Sequence, residues 1–225
     1  MTATTAMSAM SAMSVARSEL ILGGQKSGKS RRAEALAQGW LAQSAENKAV
    51  LIATAQPWDD EMRQRIARHQ ADRLLRVPGM ATVEEPLHLA QAIARHSAAK
   101  TLIVVDCLTL WLTNCLMPAD AAQTGLNAVP TAAAGDLCQA EKFMKNRTFA
   151  HVEHGDVAIL LDSVTHAPGP VVLVGNEIGL GVIPMGAEVR AFVDALGLLN
   201  QRMAQVCQRV TLMAAGLPLT LKESS

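Results

Sequence analysis

The chain has 225 residues, 50% of them hydrophobic, and its 20 Lys and Arg balance 20 Asp and Glu. That length suits one domain with a substantial core, and the zero net charge supplies no global field to recruit nucleic acid or an anionic membrane. Only 3% of residues are aromatic and tyrosine is absent, so the core must be aliphatic. No apolar run approaches the roughly 18 residues that span a bilayer. The four cysteines form no Cys-x-x-Cys pair, which points to free thiols in a reducing cytoplasm rather than a disulfide framework or a metal site.

Residues 1–18 repeat Ser-Ala-Met and lack the basic start and long apolar centre of a secretory signal. They are expected to be a disordered extension, followed by a single catalytic domain over 19–225. Leu20-Ile21-Leu22 then reads as a strand that runs into Gly23-Gly24-Gln25-Lys26-Ser27-Gly28-Lys29-Ser30, a strict G-x-x-x-x-G-K-[ST] loop. Glycines let the backbone turn tightly, so that successive N–H groups face one phosphate chain, and the positive end of the following helix points at the same place. In such a loop Lys29 reaches the β- and γ-phosphates, and the Ser30 hydroxyl holds Mg²⁺. The residues 31–43 (RRAEALAQGWLAQ) carry Ala33, Leu36, Ala37 and Trp40 at helical spacing.

Ala49 to Ala53 is a short apolar run suited to a buried parallel strand, with the loop Thr54-Ala55-Gln56-Pro57 at its carboxyl end. That is where open α/β sheets bind ligands. Trp58-Asp59-Asp60-Glu61 opens a helix that runs to Leu75. Met62, Ile66 and His69 share its apolar stripe, with Arg65, Arg68 and Arg73 close by. A histidine so placed is either a satisfied core residue or a reactive one, for which nearby cations favour the neutral, nucleophilic imidazole. Val83-Glu84-Glu85-Pro86 reads as the start of another helix, over Leu87 to Ala99. Thr101 to Asp106 is an apolar strand ending in an acid, as a Walker-B strand does, which places Asp106 beside a metal held by Ser30.

A helix over Leu108 to Leu116 ends at Pro118, and the low-complexity stretch from Ala119 to Gly135 reads as a loop. A further helix is expected around Val157 to Val164, then a buried strand over Val171 to Val174 and a glycine-rich loop, Gly175 to Gly181. That loop lacks the Lys and Asp of the guanine-reading NKxD motif. Ala187 to Gln208 is the longest helical pattern, and strands over 209–213 and 217–221 form a hairpin around Gly216. Strands alternating with helices give an α/β fold of the P-loop NTPase, RecA-like kind: a mostly parallel sheet, helices on both faces and a C-terminal antiparallel hairpin.

The ordered blocks GGQKSGKSRRAEAL, IATAQPWDDEMRQRIARHQADR, TVEEP, VVDCLTLWLTN, GNEIGLGVIP and LNQRMA resemble the bifunctional adenosylcobinamide kinase/adenosylcobinamide-phosphate guanylyltransferases. The resemblance covers Glu19 to Lys222. It implies phosphorylation of the corrinoid's aminopropanol hydroxyl from ATP or GTP, then transfer of GMP from GTP to that phosphate, releasing pyrophosphate. In the family the GMP rides on a histidine, which the motif R-I-x-x-H makes His69, so the resemblance favours the reactive reading of that residue. It also implies Lys29 in catalysis and phosphates held by Gly23, Gly24, Gln25, Lys26, Ser27, Gly28, Lys29 and Ser30. The guanine nucleotide is expected among Ala53, Thr54, Ala55, Gln70, Ala71, Asp72, Arg73 and Glu84, with Mg²⁺ on Ser30 and Asp106. The resemblance further implies a cytoplasmic homo-oligomer, commonly a trimer. The other reading of the residues is a P-loop small-molecule kinase with no covalent step.

Overall fold

The computed structural model describes residues 14–57, 60–116, 152–182 and 184–224. In chain order the elements are β1 (Ser18–Gly23), α1 (Lys29–Gln43), β2 (Lys48–Ala53), α2 (Asp60–Arg76), β3 (Met80–Glu84), α3 (Leu89–His96), β4 (Thr101–Asp106) and α4 (Leu108–Leu116). A π-helical turn (Val152–Asp156) then leads into α5 (Val157–Thr165), followed by β5 (Val171–Val174), α6 (Ala187–Val206), β6 (Arg209–Ala214) and β7 (Leu217–Glu223). The strands form one seven-stranded sheet in the order β3-β2-β4-β5-β1-β6-β7. Every neighbouring pair is parallel except β6 and β7, the antiparallel closing hairpin.

The central strands are buried on both faces, so they read in sequence as continuous apolar runs. Alternation sorts their side chains between two cores. Ile103 and Val105 of β4 join Leu20, Leu89, Trp111, Leu160, Leu199 and Met203 beneath α3, α4, α5 and α6. Leu102 and Val104 join Ile21, Leu36 and Ala37 beneath α1. Trp111 is 2% exposed, and its indole N–H finds a partner in the Leu87 carbonyl at 2.9 Å, as a buried tryptophan requires.

One element differs from the sequence reading. Met80–Glu84 is an edge strand pairing with β2 from Met80 against Ala49 to Glu84 against Ala53, and the following helix begins only at Leu89. Ala81, Thr82 and Glu84 are exposed and set no alternation, so tertiary pairing rather than local pattern makes the strand. Glu84 and Glu85 are therefore not helical residues. Instead Glu85 closes the turn that leads into α3, its carboxylate accepting from the Leu87 and His88 N–H groups at 3.1 and 2.8 Å.

The expected boundary at residue 19 falls inside β1. Before it, the Arg17 guanidinium donates to the Ala167 carbonyl at 2.8 Å, and Arg209 donates to the Ser14 carbonyl at 2.7 Å. Residues 1–13 and the expected loop at 119–135 lie outside the described residues. Beneath this end of the sheet, Glu19 is fully buried. It accepts from Arg32 Nε at 2.9 Å and the Thr211 hydroxyl at 2.8 Å, with Arg209 at 3.5 Å, so that one carboxylate ties α1, β1 and β6 together.

Candidate active site

The loop between β1 and α1 is shaped by backbone sterics. Gly28 has φ of +100°, a conformation a side chain rarely tolerates, and Lys26 at +56° is also left-handed. Such reversals turn successive N–H groups inward into an anion-binding concavity. Gly23 allows close approach: a Cβ there would lie 2.5 Å from the Met213 carbonyl oxygen. The hairpin turn supports the loop from behind, since the Gly216 N–H donates to the Ser27 carbonyl at 3.0 Å.

Lys29 is 8% exposed and folds back over the loop, its ammonium donating to the Gly24 carbonyl at 2.6 Å. Burial lowers its pKa, while the nearby Cys107 and Asp106 pull it back up. A partly desolvated ammonium bound to a neutral carbonyl is well placed to exchange that partner for a phosphate oxygen. Asp106, at the carboxyl end of β4, thus lies within electrostatic reach of Lys29.

The residues expected around the nucleotide separate into two groups. Thr54 is fully buried and serves the scaffold: its hydroxyl donates to the Cys107 carbonyl at 2.7 Å and accepts from the Cys107 N–H at 2.9 Å. Its own N–H donates to the Asp106 carbonyl at 3.2 Å, so it fastens the turn that carries Asp106 to the end of β2. Ala53 ends β2, and its carbonyl accepts from the Glu85 N–H at 2.9 Å.

The second group forms on α2 and β3. Met62, Ile66 and His69 are half-buried and Arg73 is 9% exposed, which is the stripe that the helical spacing predicts, while Leu74 and Leu75 stand out in solvent. The Gln70 amide donates to the Glu84 carboxylate at 3.1 Å, joining helix and strand at the carboxyl edge of the sheet. Ala71 is exposed, and Asp72 takes an ion pair from Arg76 at 3.2 Å. Arg76 also reaches Glu34 of α1 at 3.0 Å, linking the histidine-bearing helix to the helix that follows the phosphate loop. Arg73 Nε is buried and has no hydrogen-bond partner among the described residues.

Two strands stand between β1 and β2 in the sheet, so the phosphate loop and the start of the histidine helix are separated by three strand spacings, about 14 Å. The loop-centred and histidine-centred groups are thus neighbours along one crest rather than one contiguous cluster.

Several residues at this crest lie in the blocks VVDCLTLWLTN, GNEIGLGVIP and LNQRMA that carry the family resemblance, but spacing alone assigns them no role. Asn114 is 1% exposed, and its amide donates to the Thr54 and Pro86 carbonyls at 2.8 and 3.1 Å, bracing both β2 and β3 ends. Thr109 accepts from the Asn176 N–H at 2.9 Å, and the Glu177 N–H donates to the Gly23 carbonyl at 3.1 Å, docking the second glycine-rich loop onto the first. Asn200, 3% exposed, holds that loop by donating to the Asn176 carbonyl at 3.0 Å and to Glu177 Oε2 at 3.3 Å. Polar side chains inside an apolar helix, as in LTLWLTN and LGLLNQR, and the glycine-rich loop GNEIGLG are the local signals that mark them.

The chain is 41% identical over 205 residues to the bifunctional adenosylcobalamin biosynthesis protein CobP of Pseudomonas aeruginosa, covering 91% of this chain and 96% of that one. It is 31% identical over 203 residues to the CobU protein of Salmonella typhimurium, covering 90% and 98%. To the CobU protein of Escherichia coli it is 30% identical over 203 residues, with the same two coverages. The family model described as cobinamide kinase / cobinamide phosphate guanyltransferase matches residues 19–221, and the chain belongs to that family.

Proposed function

We propose that this enzyme performs both family reactions at one crest, and that His69 carries the GMP in the second. In the first reaction cobinamide takes a phosphoryl group from ATP or GTP. The loop from Gly23 to Ser30 cradles the phosphates through its N–H groups, and Lys29 leaves the Gly24 carbonyl to neutralise charge on the transferring group. Ser30 and Asp106 offer a hydroxyl and a carboxylate, the hard oxygen donors that Mg²⁺ takes, and they are the residues that would hold it. When bound, Mg²⁺ neutralises the charge that develops between the β- and γ-phosphates.

In the second reaction the His69 imidazole attacks the α-phosphorus of GTP. An N–P bond forms, the α–β bridging bond breaks and pyrophosphate leaves. An oxygen of cobinamide phosphate then attacks the same phosphorus and frees the histidine, giving GDP-cobinamide. The orphaned Arg73 Nε, one turn from His69 on the same stripe, is suited to a nucleotide oxygen, and the Gln70–Glu84 pair to the base or ribose. The observation that carries this reading is the half-buried His69 on a helix ion-paired through Arg76 to α1, the helix of the phosphate loop.

The test is incubation with GTP labelled at the α-phosphate. The expected result is an acid-labile, alkali-stable label on the protein that is lost in His69→Ala and released by cobinamide phosphate. An unlabelled wild type would overturn the covalent step and favour phosphorylation alone. A cytoplasmic homo-oligomer is part of the same proposal, and sedimentation at micromolar protein would return a monomer if it is wrong.

A further inference from the structure

A cleft of about 380 Å³ opens between α6 and the closing hairpin, lined by Leu22, Glu177, Gly197, Asn200, Gln201 and Leu221, with Lys222 at its far end. Neither the phosphate loop nor the histidine helix uses it. Yet it begins at the carboxyl end of β1, because Leu22 immediately precedes the loop and the Glu177 N–H is bonded to Gly23. We propose that this cleft receives the aminopropanol arm of cobinamide, and that Glu177 accepts the proton of the arm's hydroxyl during phosphoryl transfer. The proposal rests on the family reading for the identity of the acceptor.

The chemistry of the walls excludes a nucleotide there. Among the described residues lining the cleft the cation is Lys222, which spends its ammonium on the Ala204, Gln205 and Cys207 carbonyls at 2.9, 2.9 and 2.7 Å, closing the C-terminus of α6. What remains is aliphatic surface, the amides of Asn200 and Gln201 and the Glu177 carboxylate, a lining for an uncharged arm bearing hydroxyl and amide groups. The volume suits an arm and not a macrocycle, which must stay on the rim. There Leu219, opposite Leu212 in the hairpin and so on the α6 side, is 57% exposed, and Leu217 is 71% exposed.

Glu177 is the acid that belongs to both cleft and loop. Its position is fixed on three sides: its N–H on Gly23, Oε2 by Asn200 at 3.3 Å, and Oε1 by the Gly179 N–H at 3.3 Å. In the step it serves, the arm's oxygen bonds to the γ-phosphorus while the β–γ bridging bond breaks and the nucleoside diphosphate leaves. The hydroxyl proton passes to the Glu177 carboxylate and then to solvent.

Two variants test this in the full chain. Glu177→Gln keeps the shape and is expected to cut kcat for cobinamide phosphorylation about 100-fold or more, the range of a lost general base, while GTP labelling of the protein persists. Gly197→Leu points into the cleft, where an added Cβ meets no atom within 4 Å, and is expected to raise KM for cobinamide at least 10-fold with KM for ATP unchanged. Either variant behaving within about threefold of wild type, with turnover in the wild type intact, would overturn the assignment. A wild type that releases no nucleoside diphosphate on adding cobinamide would sink the family reading, and the cleft with it.

Discussion

Thr54→Val is the most direct test of how the scaffold sets the site. The substitution keeps the volume of a fully buried side chain and removes one hydroxyl that both donates to and accepts from Cys107. The Cys107 carbonyl keeps a second donor, the Trp111 N–H at 3.1 Å, so it is not orphaned. The Cys107 N–H loses its partner, and an unsatisfied buried donor costs about 1–3 kcal/mol. For a domain of this size each kcal/mol moves Tm by about 2–4 °C, so the expected loss is about 2–12 °C in thermal unfolding without nucleotide. Because the same turn carries Asp106, kcat for phosphorylation should also fall by about 10-fold or more, with KM for ATP less affected. Thr54→Ser retains the hydroxyl and should keep both turn geometry and activity, losing only one methyl group. If Thr54→Val unfolds within about 0.5 kcal/mol of wild type, or if Thr54→Ser does equal damage to kcat, the hydroxyl is not what fastens the turn.

Other outcomes follow from the same geometry. Gly28→Ala sets a side chain at φ of +100° with its Cβ 3.3 Å from Gly216, and should abolish nucleotide-induced thermal stabilisation while CD shows a retained fold. Burial lowers the Lys29 pKa, so the unfolded chain binds the extra proton more readily and the stability cost of the charge is present below the folded pKa. That cost is relieved as pH rises through the folded pKa toward 10.5, so Lys29→Met should flatten this alkaline rise in stability and abolish nucleotide binding, read by pH-dependent denaturation and by calorimetry. Desolvation pushes the Cys107 thiol up to about 11 and the Cys115 and Cys207 thiols to about 12, so these three should resist a thiol reagent at pH 7.5 until the protein is unfolded. Glu19→Ala takes the buried carboxylate from Arg32 and the Thr211 hydroxyl, while Arg209 keeps Glu223 at 2.6 Å, and should cost about 3–5 kcal/mol in urea unfolding, the range for breaking a buried pair.

Much of the architecture is written locally. Apolar runs of three to five residues mark β1, β2, β4 and β5 because strands buried on both faces cannot alternate. The glycine pattern specifies the phosphate loop because Gly28 occupies a backbone conformation that other residues avoid. The hairpin announces itself through Gly216, whose turn also touches the loop. Residue spacing alone puts His69 on the inner stripe of α2, but spacing cannot say whether such a histidine is reactive.

Tertiary structure decided the rest. The strand β3 exists because β2 offers it an edge, and its own sequence, with Ala81 and Thr82 both exposed, carries no alternation to reveal it. Thr54 reads in sequence as a loop residue awaiting a ligand, yet contact with residue 107, far along the chain, makes it a buried brace. Asn114, Asn200 and Glu177 gain their roles the same way, through bonds to distant backbone that no local window contains. A sequence specifies conformations that short-range sterics and periodicity enforce. Which polar groups meet across the crest, and where the cleft beside Glu177 opens, depends on how seven strands are ordered in the sheet.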